Sequence, residues 1–475
     1  MAAVEAVRAI PAQQPLLTGT RPMDFRTRRL LEAPIVAMLV RLALPNILVM
    51  FVQASVGLIE TYFVGRLGTD ALAGMALVFP PLMLMQMMSA GAVGGGISAA
   101  VARALGRGSR DDADRLAMHA IVIALVFAAT FSVAMLLGGR WVYLAMGGSG
   151  ASLAAAMTYS NVVFAGLPLL WLFNALANVV RGSGNMVIPA LVTCTGAAVL
   201  IPLSPCLIFG WGPFPALGIA GGGVAVVAYY AAGTAAFAWY LASSRGIVRS
   251  ALRGIRFERR LFADILRVGA VAAITTVLTN LTIAIVTALV GSFGSAAIAG
   301  YGIGSRLEYL LVPLVFGLGG PLVAMVGTNI GAGSRERALR TTWIGAAIAF
   351  GLTEAIGLAA AAMPLTWLSL FDSDPAMLAA GALYLQTVGP FYGLFGLGIA
   401  LYFASQGAGR LLWPLAAGVV RLIIAAGGGW LALRWTGSLG GVYLAVGVAL
   451  AAFGAINAIS VAAGVWFRRE GSEAA

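Results

Sequence analysis

Apolar residues along this chain come in long runs separated by short polar loops. A helix needs about 20 apolar residues to cross a bilayer. Twelve such runs are predicted, near 38–64, 71–102, 117–138, 156–180, 187–210, 217–241, 264–290, 296–329, 342–362, 379–405, 412–433 and 441–466. The reading is an all-α polytopic membrane protein. The second and eighth runs exceed what a bilayer needs and are expected to tilt, bend or project. Pro80–Pro81 in the one and Pro313 and Pro321 in the other predict bends.

The polar residues between the runs give orientation. With both termini on one side, that side receives 24 of the 29 arginines. Arg66, Arg140 and Arg434 fall on the other side, while Arg306 and Arg421 fall inside spans. This asymmetry places both termini in the cytoplasm. The expected organisation is a polar N-terminal tail over 1–37, a six-helix lobe over 38–241, a basic linker over 242–263, a second six-helix lobe over 264–467 and a tail over 468–475. Residues 1–30, with Pro11, Pro15 and Pro22, read as a loose tail with no signal peptide. The linker "SSRGIVRSALRGIRFERR" suits the anionic inner leaflet.

The two halves repeat at an offset of about 225. "GRLGTDALAG" from Gly65 matches "GSFGSAAIAG" from Gly291, "LGRGSRDDA" from Leu105 matches "IGAGSRERA" from Ile330, and "RGSGNMVIP" from Arg181 matches "QGAGRLLWP" from Gln406. Six helices per copy is an even number, so both copies enter the membrane in the same sense. The expected architecture is two bundles related by a pseudo-twofold axis along the membrane normal. Such duplications hold substrate between the halves and expose it to alternate sides.

Composition agrees with this class: 61% of residues are hydrophobic, 10% are charged, and mean hydropathy is +0.96. All 29 basic residues are arginines, so the lysine of a nucleotide-binding P-loop is missing. Cys194 and Cys206 suggest neither a disulfide framework nor a metal site. The single histidine, His119, is expected at the interface beside a basic loop. "GAVGGGISAAVARA", from Gly91, lacks the strand and acidic partner of a dinucleotide site and reads as a closely packed helix. No nucleophile–base pair emerges, so an enzyme is not expected.

Against this apolar background one carboxylate stands out. Glu60 lies near the end of the first span, in "GLIETYFVGRLG". A charge at a helix centre in hydrocarbon costs about 2.5–3.5 kcal/mol even on lenient scales, so such residues pair, line wet cavities or carry function.

Pro45, then "ETYFVGRLGTDALAG", then a glycine-rich helix ending "RALGRGSRDDADR", is similar to the first two helices of the multidrug and toxic compound extrusion (MATE) family. "SAAIAGYGIGSRLEYL…VGTNIGAGSRERA" resembles the helix 7–8 region of its bacterial members, and "NVVRGSGNMVIPA" the end of helix 4. The resemblance runs from about 38 to 467. It implies two lobes around a V-shaped cavity in a bacterial inner membrane. It also implies export of organic cations and amphipathic compounds against inward protons or sodium. Glu60 occupies the place of the family's coupling carboxylate, usually aspartate. A carboxyl removed from water favours its neutral form, so Glu60 is expected to take up a proton outside and release it inside. The competing reading has Glu60 snorkelling to water or paired with Arg66.

Other family acids are absent. Thr279 and Phe395 stand where the NorM-like branch has its helix 7 and helix 10 acids, and Leu200 and Ser204 stand where other members have asparagine and aspartate. Proton coupling is therefore favoured over sodium at Glu60; no cofactor and no bound metal are expected. Candidate cavity residues are Gln53, Asn174, Asn178, Asn280, Tyr301, Tyr309, Arg306, Glu308 and Glu354. For Arg306 the alternative is a structural pair with Glu354 or Glu308. The polar candidates equally suit helix–helix hydrogen bonding, and Met83, Met85, Met87 and Met88 suit an adaptable surface or lipid contact. The expected partners are small cationic or amphipathic molecules and membrane lipid, not nucleic acid, with the chain acting as a monomer. The alternatives are a lipid-linked precursor flippase, which wants a cationic cavity, and a passive channel.

Overall fold

The computed structural model describes residues 23–243, 246–248, 257–371 and 373–467. Twelve spans are present among them. The first six are α1 (Ile35–Gly65), α2 (Thr69–Gly106), α3 (Arg110–Ala145), α4 (Gly150–Ala165 with Leu167–Gly182), α5 (Val187–Phe209) and α6 (Ile219–Ala242). The second six are α7 (Arg259–Gly291), α8 (Ser295–Gly331), α9 (Arg335–Ala362), α10 (Pro375–Ala408), α11 (Leu412–Thr436) and α12 (Leu439–Ala462).

Several helices run further than their apolar cores. α3 begins at Arg110 and carries Asp111 and Asp112 in its first turn; α9 begins at Arg335 and carries Glu336 there. Acids at a helix N-terminus complement its dipole, which extends these helices past the predicted apolar start. The prolines predicted to bend α2 and α8 sit inside continuous helices. A 47° bend lies in α4, at Gly166, with a proline opening the second segment. Pro168 has no N–H to give, and its ring obstructs the carbonyl one turn back. α2 widens into a π-helical turn at Met88–Val93, and α11 does so at Ile424–Gly428.

The predicted tail is partly structured. Phe25–Glu32 forms a helix capped by Asp24, whose carboxylate accepts from the Arg26 and Thr27 N–H groups at 2.8 and 3.2 Å. Residues 1–22, residues 244–245 and 249–256 of the basic linker, and the 468–475 tail lie outside the described residues.

Each half has its own core. Trp171, Tyr143 and Phe164 anchor the first, and Tyr384, Tyr392 and Tyr443 the second. A third cluster joins the halves, with Leu39 of α1, Ala99 of α2, Leu322 of α8 and Leu401 of α10. The joint lies toward the arginine-rich end. There the ends of α2 and α8 cross at glycine: a Cβ on Gly106 would strike the Thr328 carbonyl, and one on Gly331 the Arg103 carbonyl. Arg103 completes the seal, giving one hydrogen bond to the Gly407 carbonyl at 3.0 Å and an ion pair to Asp264 at 2.6 Å. Asn46 of α1 donates to the Gly317 carbonyl of α8 at 3.0 Å. At the far end the Thr69–Met87 half of α2 packs within its own half, against α4 and α1. The halves are thus joined at the basic end.

His119 lies at this basic end, beside the basic linker, and is fully buried. Its Nε2 accepts the Glu258 N–H at 3.0 Å while Nδ1 faces the Arg115 carbonyl at 2.8 Å, so it fastens the linker's end to α3. Arg115–Glu258 and Arg260–Asp112 ion pairs flank it.

Close packing inside the second half gives a paired test. A Cβ on Gly300 would lie 2.6 Å from both the Gly381 nitrogen and the Met377 carbonyl, whereas one on Gly302 meets nothing within 4 Å. Gly300→Val is expected to cost about 1–3 kcal/mol through overpacking and to lower the melting temperature in detergent, with Gly302→Val near the wild type.

Candidate functional site

The first half holds an acid in an aromatic chamber. Glu60 lies on α1 with its Oε1 shielded from solvent and without a hydrogen-bond partner. Arg66, the alternative partner, lies over the ring of Phe209, 5.7 Å from its centroid. The structure therefore removes the Arg66 pair, while Glu60 as a residue is only partly buried. Tyr159 of α4 and Tyr230 of α6 lie close enough to Glu60 to feel its charge. Val56, one turn below Glu60, packs with Leu200, Leu203 and Leu207 of α5 and with Tyr229. Ser204 belongs to that stretch of α5 and is 1% exposed, its hydroxyl also unpartnered. Gln53, two turns below Glu60 on α1, is partly buried. A buried carboxyl without a protein donor is a costly arrangement, which proton uptake from solution or a ligand cation relieves.

Asn174 and Asn178 serve the π turn of α2. Asn174 Nδ2 donates to Ser89 Oγ at 3.1 Å, and Asn178 Nδ2 to the Ala90 carbonyl at 3.3 Å. From the other half, Gln406 Nε2 donates to the Gly91 carbonyl at 3.2 Å. A π turn leaves its carbonyls poorly served along the helix, and amides from both halves meet that need. Asn280 is exposed and bonds back to the Thr276 carbonyl of its own helix, at 2.9 Å. Of the methionines, Met83 and Met87 are exposed and Met85 is buried.

The second half buries a different cluster. Tyr384 of α10 donates its hydroxyl to Glu308 Oε1 at 2.6 Å. Tyr301 and Tyr443 complete a triad with it, centroids 5.3 and 5.2 Å from the Tyr384 ring. Neither proposed Arg306 pair forms. Arg306 is exposed on α8, and positions two apart on a helix do not face each other, so Glu308 turns inward without it. Glu354 is occupied as well: its Oε2 accepts the Gly393 N–H at 2.7 Å, just past the 3-10 turn Gly389–Phe391 that interrupts α10. That is a structural role, because the break frees an N–H which the carboxylate satisfies. The cation that Glu308 feels is Arg421 of α11. The Tyr309 side chain lies outside the described residues. Tyr384→Phe removes a hydrogen bond to a carboxyl, and a loss of about 1.5–3 kcal/mol is expected in thermal unfolding.

Tyr159 and Tyr384 were not singled out by sequence reasoning, yet they stand 225 residues apart, the repeat offset itself. A tyrosine on the same helix of both halves was the missed signal.

A family model, MatE, matches residues 45–206 and 272–431. The chain is 28% identical over 397 residues to the FAD transporter of Shewanella oneidensis, covering 83% of this chain and 87% of that one. It is 29% identical over 403 residues to the probable multidrug resistance protein NorM of Deinococcus radiodurans, covering 80% and 84%. The fold is similar to that of MATE crystallised in the bent conformation, with a TM-score of 0.86 at 22% identity over 93% of this chain and 98% of that one. It is also similar to the outward-facing conformation of a multidrug resistance MATE family transporter, with a TM-score of 0.83, 22% identity and coverage of 93% and 99%. The matches fall on both repeats and span most of the chain, and on that ground the protein belongs to the MatE family of multidrug and toxic compound extrusion transporters.

Proposed function

We propose that this protein is a multidrug exporter of the bacterial plasma membrane, with both termini cytoplasmic. In this reading a single chain exchanges organic cations or amphipathic compounds for inward protons, and Glu60 is the coupling acid. One observation carries the coupling: Glu60 holds one carboxylate oxygen shielded from solvent with no protein partner, near Tyr159 and Tyr230. Proton and substrate need only favour different arrangements of the two halves for exchange to follow. The joined basic end supports reading this arrangement as outward-facing. A proton suits Glu60 better than sodium, which wants several oxygen ligands at once.

The test is purified protein in liposomes, with a pH gradient or a sodium gradient imposed separately while a fluorescent cation is followed. Cation movement driven by the pH gradient alone supports the reading; movement driven only by sodium replaces the proton; movement without either gradient's help points to a passive pore. The cargo named for the Shewanella relative supplies a second reading, a flavin nucleotide. Arg306, exposed on α8 with no ion-pair partner among the described residues, favours it, and the same liposomes loaded with FAD decide it.

A further inference from the structure

The second half contains a charge pair that coupling through Glu60 does not use. Arg421 lies on α11, one turn before the π-helical stretch Ile424–Gly428. Its guanidinium carbon sits 5.4 Å from the Phe395 ring centroid and 5.7 Å from that of Phe453. Both distances are within the range where a ring face attracts a cation. Arg421 makes no direct ion pair with a described residue, yet it and Glu308 feel each other's charge. Glu308 Oε1 is taken by the Tyr384 hydroxyl, Glu354 is engaged by Gly393, and Arg306 is turned outward. Ring faces together with a nearby carboxylate are what recognises an organic cation. Here the cation is supplied by the chain itself. A structural salt bridge would bring nitrogen and oxygen into contact; this guanidinium is instead held as a free ion would be.

We propose that Arg421 is a tethered cation. Its guanidinium fills the cation place of a site formed by Glu308, Tyr384 and the faces of Phe395 and Phe453. With Arg421 removed, the site takes a small guanidinium ion. Under the exporter reading, on which this consequence rests, the second half then passes through the cycle with its acid already neutralised, leaving Glu60 to carry the exchangeable cation.

The experiment uses full-length protein in detergent, with methylguanidinium as probe and methylurea as its neutral counterpart. Methylguanidinium is expected to raise the melting temperature of Arg421→Ala saturably. It should leave the wild type, Arg421→Lys and the double variant Arg421→Ala with Glu308→Gln unchanged, and methylurea should do nothing. An equal response in the wild type, or a response that survives Glu308→Gln, overturns the proposal. Should Arg421→Ala aggregate, Arg421→Met keeps the aliphatic stem and is titrated with guanidinium instead. A folded Arg421→Met that ignores the ion overturns the proposal too. Because this readout is binding, failure of gradient-driven export would remove the exporter reading and leave the site's own test standing.

Discussion

Glu60→Gln is expected to abolish uphill export while leaving the folded protein intact. A pH gradient of one unit stores about 1.36 kcal/mol per proton, enough to hold about a tenfold gradient of a monovalent cation exchanged one for one. In liposomes the wild type should build that ratio, and Glu60→Gln should bring it to unity. The amide keeps the shape of the side chain and its place beside Tyr159 and Tyr230 but has no titrating proton. Stability should be preserved or improved, because the carboxyl it replaces has an unpartnered, shielded oxygen. Glu60→Asp, one methylene shorter, should retain part of the gradient-driven transport. Full accumulation by Glu60→Gln would remove this residue from coupling altogether.

The second large effect is expected at the seal. Arg103→Ala deletes an ion pair to Asp264 and a hydrogen bond to the Gly407 carbonyl, both between halves. Bonds to charged groups are worth about 1.5–3 kcal/mol each. The Asp264 side chain is 32% exposed and is rehydrated on release, which lowers the net effect. A loss of about 2 kcal/mol remains, roughly a 30-fold shift in the balance of arrangements. Spin labels at Arg107 and Ala332, beyond the ends of α2 and α8, read that balance in a background with Cys194 and Cys206 replaced. The wild type should give one short distance, and Arg103→Ala should add a longer one. A single unchanged distance would mean that the glycine crossing of Gly106 and Gly331 holds the seal alone.

What the sequence made legible follows from what a membrane demands. Spans must be long and apolar, so all twelve could be read from their runs, and the duplication could be read from repeated strings. Glu60 stood out because a charge is rare there. Depth along a helix, however, says nothing about rotation around it. Arg306 and Glu308 lie at the same depth but on different faces, so the expected pair could not form. Glu354 resembled a cavity acid until the break at Gly389–Phe391 showed which backbone N–H it serves. His119 is satisfied by Glu258, 139 residues away, which local sequence cannot reveal. The asparagines Asn174 and Asn178 serve a π turn, and nothing in an apolar run marks where a helix will widen.

The central claim is that one shielded carboxyl exchanges its proton for a cationic substrate. Proton release on substrate binding measures this without any gradient or vesicle. Purified wild-type protein in weakly buffered detergent should release about one proton per bound cation near neutral pH, and Glu60→Gln should bind the cation with no release. Equal release from both proteins, or none from the wild type at saturating cation, would contradict the account.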